Sequence, residues 1–309
     1  MDHTILQTAI RNILCRMGPF PREPVVVVCS EDKRPLGHGL AQGCAASGVR
    51  HHLYTPRSPG DRALLHRARE SALAAASAGS LVVLMDQAYA PWVFELLGRP
   101  DEAVAFPEEH LYCDWMLPLP ALLRMLQADY AALTAWTRWL LRRLGHAREM
   151  HVTTPAGTDL YLSVGQWTGL DGEVCAAVTG AHGRLVVDGA LYWGAPSAPV
   201  ALQVADGRVI RADELDTADP AQRMLKADLT RDGSSAMVAE LGLGTNACSD
   251  PLGEIMEAEM ARGTAHVGFG RNTFLGGTVE SAGHIDVGLL RPTLSCNGQV
   301  LCEGGRYPL

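Results

Sequence analysis

Near residue 150 the sequence changes its pattern, and that change limits the possible folds more than any single motif does. Before it, two kinds of apolar run alternate. "VVVV" (25–28) is a short β-branched run of the type buried on both faces of a parallel sheet. "LAQGCAASG" (40–48) reads as a helix closed by a glycine and "VRHHLYT" (49–55) as a strand. "RALLHRARESALAAASAG" (62–79) reads as a helix ending at Gly79, and "SLVVLMD" (80–86) as a further strand. This alternation predicts an open, mostly parallel α/β domain over residues 1–150. Apolar spacing in "MLQADYAALTAWTRWLLRRLGHA" (125–147) predicts one long helix bridging to the second half. The α/β half carries no G-x-G-x-x-G after its first strand and no phosphate-binding loop, so it reads as a scaffold, with His51 and His52 on a solvated surface.

From residue 151 to 309, short β-type runs are separated by glycine turns: "HVTTPAGTDLYLSV", "GRLVVDGALYWG", "PVALQVADGRVIRA", "GTAHVGFG" and "GHIDVGLLRPTLSCNGQVLCEGG". Most of the 32 glycines fall here, as a turn-rich domain requires. "ADGR" (205–208) and "CNGQ" (296–299) predict tight hairpins, because Asp-Gly and Asn-Gly tolerate positive φ. One helix is predicted inside this half, "SDPLGEIMEAEMARG" (249–263). The fold expected here is α+β and β-rich.

The net charge of −8 argues against nucleic acid or an anionic membrane as partner. No apolar run approaches the ~20 residues of a spanning helix, and the first segment lacks the pattern of a signal peptide. The eight cysteines are scattered without C-x-x-C spacing, so reduced thiols and a cytoplasmic setting are expected.

The second half holds the residues with chemistry. In "AGHIDVGLLRPTL", His284 and Asp286 are two apart, so in a strand both point to one face. His266 in "GTAHVGFG" is flanked by small residues that let a ligand approach. Glu240 in "MVAELGLGTN" is an acid inside an apolar run, and an unpaired buried carboxylate costs several kcal/mol. A cation satisfies it, and so does a salt bridge to an arginine. Glu173 follows a turn in "LDGEVCAAV". Two histidines and three carboxylates suffice for a dinuclear Zn, Co or Mn site, and imidazole with carboxylate also suits a single Fe(II).

Taken in order, "LDGEVCAAV", "MVAELGLGTN", "GTAHVGFGRN" and "HIDVGLL" resemble the thermophilic aminopeptidase family, the aminopeptidase T type of dinuclear metallopeptidases, in its shorter leucyl-aminopeptidase-like branch. The resemblance runs through residues 151–305 and more loosely through the α/β half. It implies that Glu173, Glu240, His266, His284 and Asp286 hold two divalent cations. Either Glu173 or Glu240 then doubles as catalytic base, and a homodimer encloses a cavity for small peptides. The expected activity is hydrolysis of an N-terminal peptide bond or a related amide.

Two positions depart from the family. Thr273 stands where the family has a tyrosine, and Met260 where it has a lysine. Losing a phenol that donates to a developing oxyanion typically costs roughly 10²–10³ in rate. A second resemblance, to 2,5-dihydroxypyridine 5,6-dioxygenases, implies one Fe(II) on His266, His284 and Asp286. A catalytically altered tailoring or binding protein on the same fold is a third expectation. Arg271, Asn272, Asn246 and His182 are further polar candidates for substrate contact.

Overall fold

The computed structural model describes residues 2–16, 22–75, 79–97, 111–114, 116–170, 172–192 and 194–308. The chain forms two compact units, divided between Gln127 and Ala128.

The first unit is a four-stranded parallel sheet of β1 (Val25–Cys29), β2 (His51–Tyr54), β3 (Ser80–Leu84) and β4 (Leu111–Cys113), in the order β2-β1-β3-β4. Helices α1 (His3–Arg16), α2 (Arg34–Ala46), α3 (Arg62–Ala75), α4 (Ala90–Leu97) and α5 (Leu119–Met125) complete it. Every residue of β1 and β3 is buried, as expected of strands covered on both faces. α3 turns Leu65, Ala68 and Ala72 inward onto Val26, Val28, Leu81 and Val83. At the edge, β2 leaves His51 half-buried and His52 exposed.

A buried ion pair closes the carboxyl ends of β3 and β4. The Lys33 ammonium, wholly buried, donates to Asp114 and to the Met85 carbonyl. Asp114 also accepts from the Met116 amide at 3.0 Å and the Met85 amide at 3.3 Å. Burial pushes the Asp114 carboxyl up to about 6, against the opposing pull of Lys33.

The 125–147 stretch, expected as one bridging helix, is divided. α5 ends at Met125, and α6 (Tyr130–Leu144) starts afresh where the Asp129 carboxylate accepts from the Ala131 and Ala132 amides. Leu133, Thr137, Leu140 and Leu144 are buried on its inner face, and it packs on strands of the second unit. α6 thus belongs to the second compact unit, Ala128–Leu309.

The second unit is built on a ten-stranded antiparallel sheet. Its strands are β5 (Glu149–Thr153), β6 (Asp159–Leu170), β7 (Glu173–Val187), β8 (Val200–Ala205), β9 (Arg208–Ile210), β10 (Val238–Gly244), β11 (Thr264–Gly270), β12 (His284–Leu290), β13 (Thr293–Cys296) and β14 (Gln299–Cys302). The main path runs β12-β11-β10-β7-β6-β5-β13-β14, with β8 on β7 and β9 on β8. α7 (Pro220–Leu229) turns Leu225 and Leu229 into the core.

Both Asx-Gly hairpins form: Asp206 and Gly207 have φ of 51° and 74°, and Asn297 and Gly298 have 48° and 80°. In contrast, the helix expected over 249–263 shrinks to the single turn α8 (Ile255–Ala258), because Pro251 and Gly253 lie in a loop held by Glu254 and Glu257 accepting from the Met256 and Asp250 amides. All eight cysteines are free thiols, and among the described residues no helix is long and apolar enough to cross a membrane.

One face of this sheet is apolar, with Val174, Ala176, Val178, Leu241, Leu243, Ala265, Val267, Phe269, Val287 and Leu289 in the core. Strand alternation sends the residues between them to the other face. Beyond β12 the chain covers its own sheet edge. The Gly189 amide donates to the Gly288 carbonyl at 3.0 Å, the Gly288 amide to Ala190 at 2.7 Å, and the Leu290 amide to the Asp188 carboxylate at 2.9 Å.

Replacing Asp114 by Ala strands a buried ammonium and should destabilise the fold by roughly 3–5 kcal/mol. Lys33→Met with Asp114→Leu should recover most of that loss. Chemical denaturation of the two variants reads the difference, and equal stabilities would show that the pair is not coupled.

Candidate metal centre

Four adjacent strands, β7, β10, β11 and β12, carry the five residues singled out in the sequence to the same face of the sheet. The register sets their places. Gly268 of β11 lies between Glu240 of β10 and Asp286 of β12, Gly242 of β10 lies between His266 and Cys175, and Glu173 pairs with Gly244. Ligand side chains thus alternate with glycines across the strands, and the spacing is a steric requirement. A Cβ on Gly242 would fall 2.0 Å from the His266 ring. One on Gly268 would fall 2.7 Å from the His284 ring and 2.8 Å from Asp286 Oδ1. Both imidazoles pack against backbone that has no side chain to displace them.

Glu240 is central to the cluster. Its Oε1 is 3.5 Å from His266 Nε2, and its Oε2 is 3.2 Å from His284 Nε2. His266 Nε2 is also 3.6 Å from Glu173 Oε2, and His284 Nε2 is 3.2 Å from Asp286 Oδ2. No arginine stands among the described partners of Glu240. Two sets of donor atoms close enough to hold an ion share this glutamate: Glu173, Glu240 and His266, and then Glu240, His284 and Asp286. A third set joins His266 and Asp286 to Glu259.

Glu259 was not among the residues expected from sequence. It reads there as one acid in a helical run, yet it is buried just beyond the single turn of α8. The available signal was its place directly before Met260, the position at which the resemblance puts a lysine.

His284 Nδ1 is 2.7 Å from the Arg271 carbonyl. Donating there leaves Nε2 free to face the carboxylates, as in a ligand imidazole oriented by a backbone acceptor. The turn preceding β12 is fixed by Asp232, which accepts from the Ala282 amide at 2.7 Å and from the Ser281 hydroxyl at 2.9 Å.

Four carboxyls face two imidazoles, and their mutual attraction and repulsion shift the protons held by the cluster. Burial alone would lower the histidine pKa values. The bond to Glu240 and the charges of Asp286, Glu173 and Glu259 outweigh it and raise His266 to about 10. Asp286 and Glu240 raise His284 to about 11 by the same balance. Burial would raise Glu240, but its two histidine partners hold it down to about 2. Burial raises Glu173 to about 7, with His266 opposing, and lifts Glu259 well above the usual carboxyl range. Cys175 shares this face, but burial first, and then Glu173 and Glu240, push its thiol far up, so it stays protonated.

The donor set fits divalent cations. It is rich in carboxylate and imidazole, and two of its buried atoms, Asp286 Oδ1 and His266 Nδ1, have no hydrogen-bond partner among the described residues.

The remaining polar candidates lie elsewhere or serve the backbone. Asn272 is fully buried; its amide donates to Ala239 O at 3.0 Å and its Oδ1 accepts from the Val279 amide at 2.8 Å. Asn246 accepts from the Cys248 amide. His182 stacks on Tyr161, which stacks in turn on His151, with ring centroids 5.2 and 4.1 Å apart. Thr273 opens the 3₁₀ turn Thr273–Leu275, and Met260 packs against Gly172 beside Glu173.

No family model matches the chain, and no curated protein matches it. Solved structures share its fold. A 2,5-dihydroxypyridine dioxygenase from Pseudomonas putida KT2440 is 16% identical with a TM-score of 0.69, over 98% of this chain and 96% of the other. AmpT (aminopeptidase T) from Thermus thermophilus is 14% identical with a TM-score of 0.64, over 99% of each chain. The mixed α/β architecture, with a parallel four-stranded sheet and a large antiparallel one, is therefore that of both proteins.

Two outcomes are expected. Gly242→Ala should displace His266 and weaken Zn²⁺ binding by about 10–100-fold in titration calorimetry. Unchanged affinity would mean that the ring is not seated over Gly242. With no cation bound, both imidazoles hold a proton at neutral pH, so a cation must expel them. Zn²⁺ affinity should rise with pH from 6 to 8, with about two to three protons released per chain, two from the imidazoles and the rest from Glu173. Calorimetry in buffers of different ionisation enthalpy counts them.

Proposed function

We propose that this chain is a metal-dependent hydrolase that cleaves an N-terminal peptide bond or a related amide of a small substrate. The observation that carries the reading is the placement of Glu240, one oxygen toward His266 and the other toward His284, inside two donor sets. Glu173, Glu240 and His266 would hold one cation, and Glu240, His284 and Asp286 the second. A pair of Zn, Co or Mn ions supplies polarisation of the scissile carbonyl and a water acidified to near-neutral pH.

The residues of the chain divide the remaining work. Glu240 has both oxygens engaged, which takes it out of proton transfer. Glu173, half-buried where Glu240 is closed off, is the carboxyl left to act as general base. Glu259 belongs to neither of the two sets that share Glu240, and burial beside Asp286 and Glu173 lifts its carboxyl well above the usual range. Thr273 offers no phenol, and the neighbouring ring of Phe274 has no hydroxyl, so turnover below that of a tyrosine-bearing site follows. The reading includes a cytoplasmic homodimer acting on small peptides or similar small molecules, with no nucleic-acid or membrane partner.

A ring-cleaving dioxygenase with one Fe(II) on His266, His284 and Asp286 is the second reading, favoured by the fold shared with the Pseudomonas enzyme and by the loss of the tyrosine and lysine. Against it, the two histidines belong to different donor sets.

Elemental analysis of protein purified without chelators separates the two. About two Zn, Co or Mn per chain, with leucinamide hydrolysis that chelation abolishes, is the expected result. About one iron, with O₂ uptake on a hydroxypyridine, would establish the second reading. Absence of metal, with stability unaffected by chelation, would overturn both.

A further inference from the structure

Large apolar side chains left in solvent are informative when they stand beside a polar site. The centre opens through its outer members: Glu173, His284 and Asp286 are half-buried, while Glu240 and His266 are closed off. Phe274 stands at that opening, 46% exposed, with its ring edge-to-face on the His284 imidazole at 5.0 Å and 84°. It cannot easily fold away, because its turn is pinned on both sides. The Leu275 and Gly277 amides donate to the Asn272 carbonyl, and the Asn272 side chain is tied into β10 and to Val279. At the Glu173 end, Met260 packs over Gly172. Phe274 beside His284 and Met260 beside Gly172 are thus uncharged, apolar neighbours of a floor of carboxylate and imidazole.

We propose that Phe274 is a specificity-determining residue, forming an apolar wall that receives an apolar side group of the substrate while the substrate's polar end meets the metal centre. The proposal rests on the hydrolase reading and deepens it. A substrate group of branched alkyl or aryl character would cover the exposed ring and gain from leaving water. A charged group placed there would lose its hydration without finding a partner.

The test uses the whole chain loaded with Zn²⁺ and two metal-chelating probes, leucine hydroxamate and glycine hydroxamate, titrated by calorimetry. The leucine probe should bind about 10–100-fold more tightly. Phe274→Ala should remove most of that preference while leaving glycine hydroxamate within about twofold and Zn²⁺ stoichiometry unchanged. Phe274→Leu, which keeps an apolar wall, should retain most of the preference. Equal binding of the two probes, or an equal loss of both in Phe274→Ala, overturns the assignment of Phe274 and leaves the hydrolase reading standing. A change of oligomeric state in Phe274→Ala by light scattering, with selectivity intact, also overturns it and marks the ring as a subunit contact. If neither probe binds although Zn²⁺ does, the hydrolase reading and the proposal both fall.

Discussion

Acidic and imidazole side chains crowded on one buried face of an antiparallel sheet govern the second unit. Carboxylates at this density repel one another, and the imidazoles between them offset that repulsion. Holding such groups together calls for a geometry that keeps each of them in place. The local architecture follows from that need: strands short of side chains at alternate positions, a turn before β12 tied to Asp232, and a carbonyl holding the His284 ring in one orientation. The apolar core on the opposite face supplies the rigidity that keeps mutually repelling groups at fixed distances.

Sequence and structure agree most closely where local chemistry alone decides conformation. Asp206-Gly207 and Asn297-Gly298 make their hairpins because few other dipeptides tolerate two successive positive φ angles. The β-branched run at 25–28 forms a buried parallel strand for an equally local reason. The five metal-centre candidates were found through the order of their motifs, and their meeting on one face depends on pairing between strands distant in sequence. Spacing alone could place only His284 beside Asp286.

The misread segments are those where a tertiary partner overrode a local pattern. Residues 249–263 have the composition of a helix, but the backbone there is drawn into a loop by its own acidic side chains and by the burial of Glu257 and Glu259. Glu259 was missed for the same reason: a helical reading gives an acid a solvated face, while the loop turns it toward His266 and Asp286. The break at Asp129 was visible as a capping residue but was outweighed by the apolar periodicity on either side of it.

Consider finally the short crossing of residues 188–190 over the outer edge of β12. Without it, the strand bearing His284 and Asp286 would present bare amides and carbonyls to solvent, free to slide or to recruit a foreign strand. Sliding by one position would turn both ligands to the apolar side of the sheet. The crossing thus acts as a register stop, and it depends on Gly189 and Gly288 lacking the side chains that would hold the two backbones apart. An inserted residue in that crossing would therefore disturb the site as a change in His284 or Asp286 would, although the crossing lies outside the cluster.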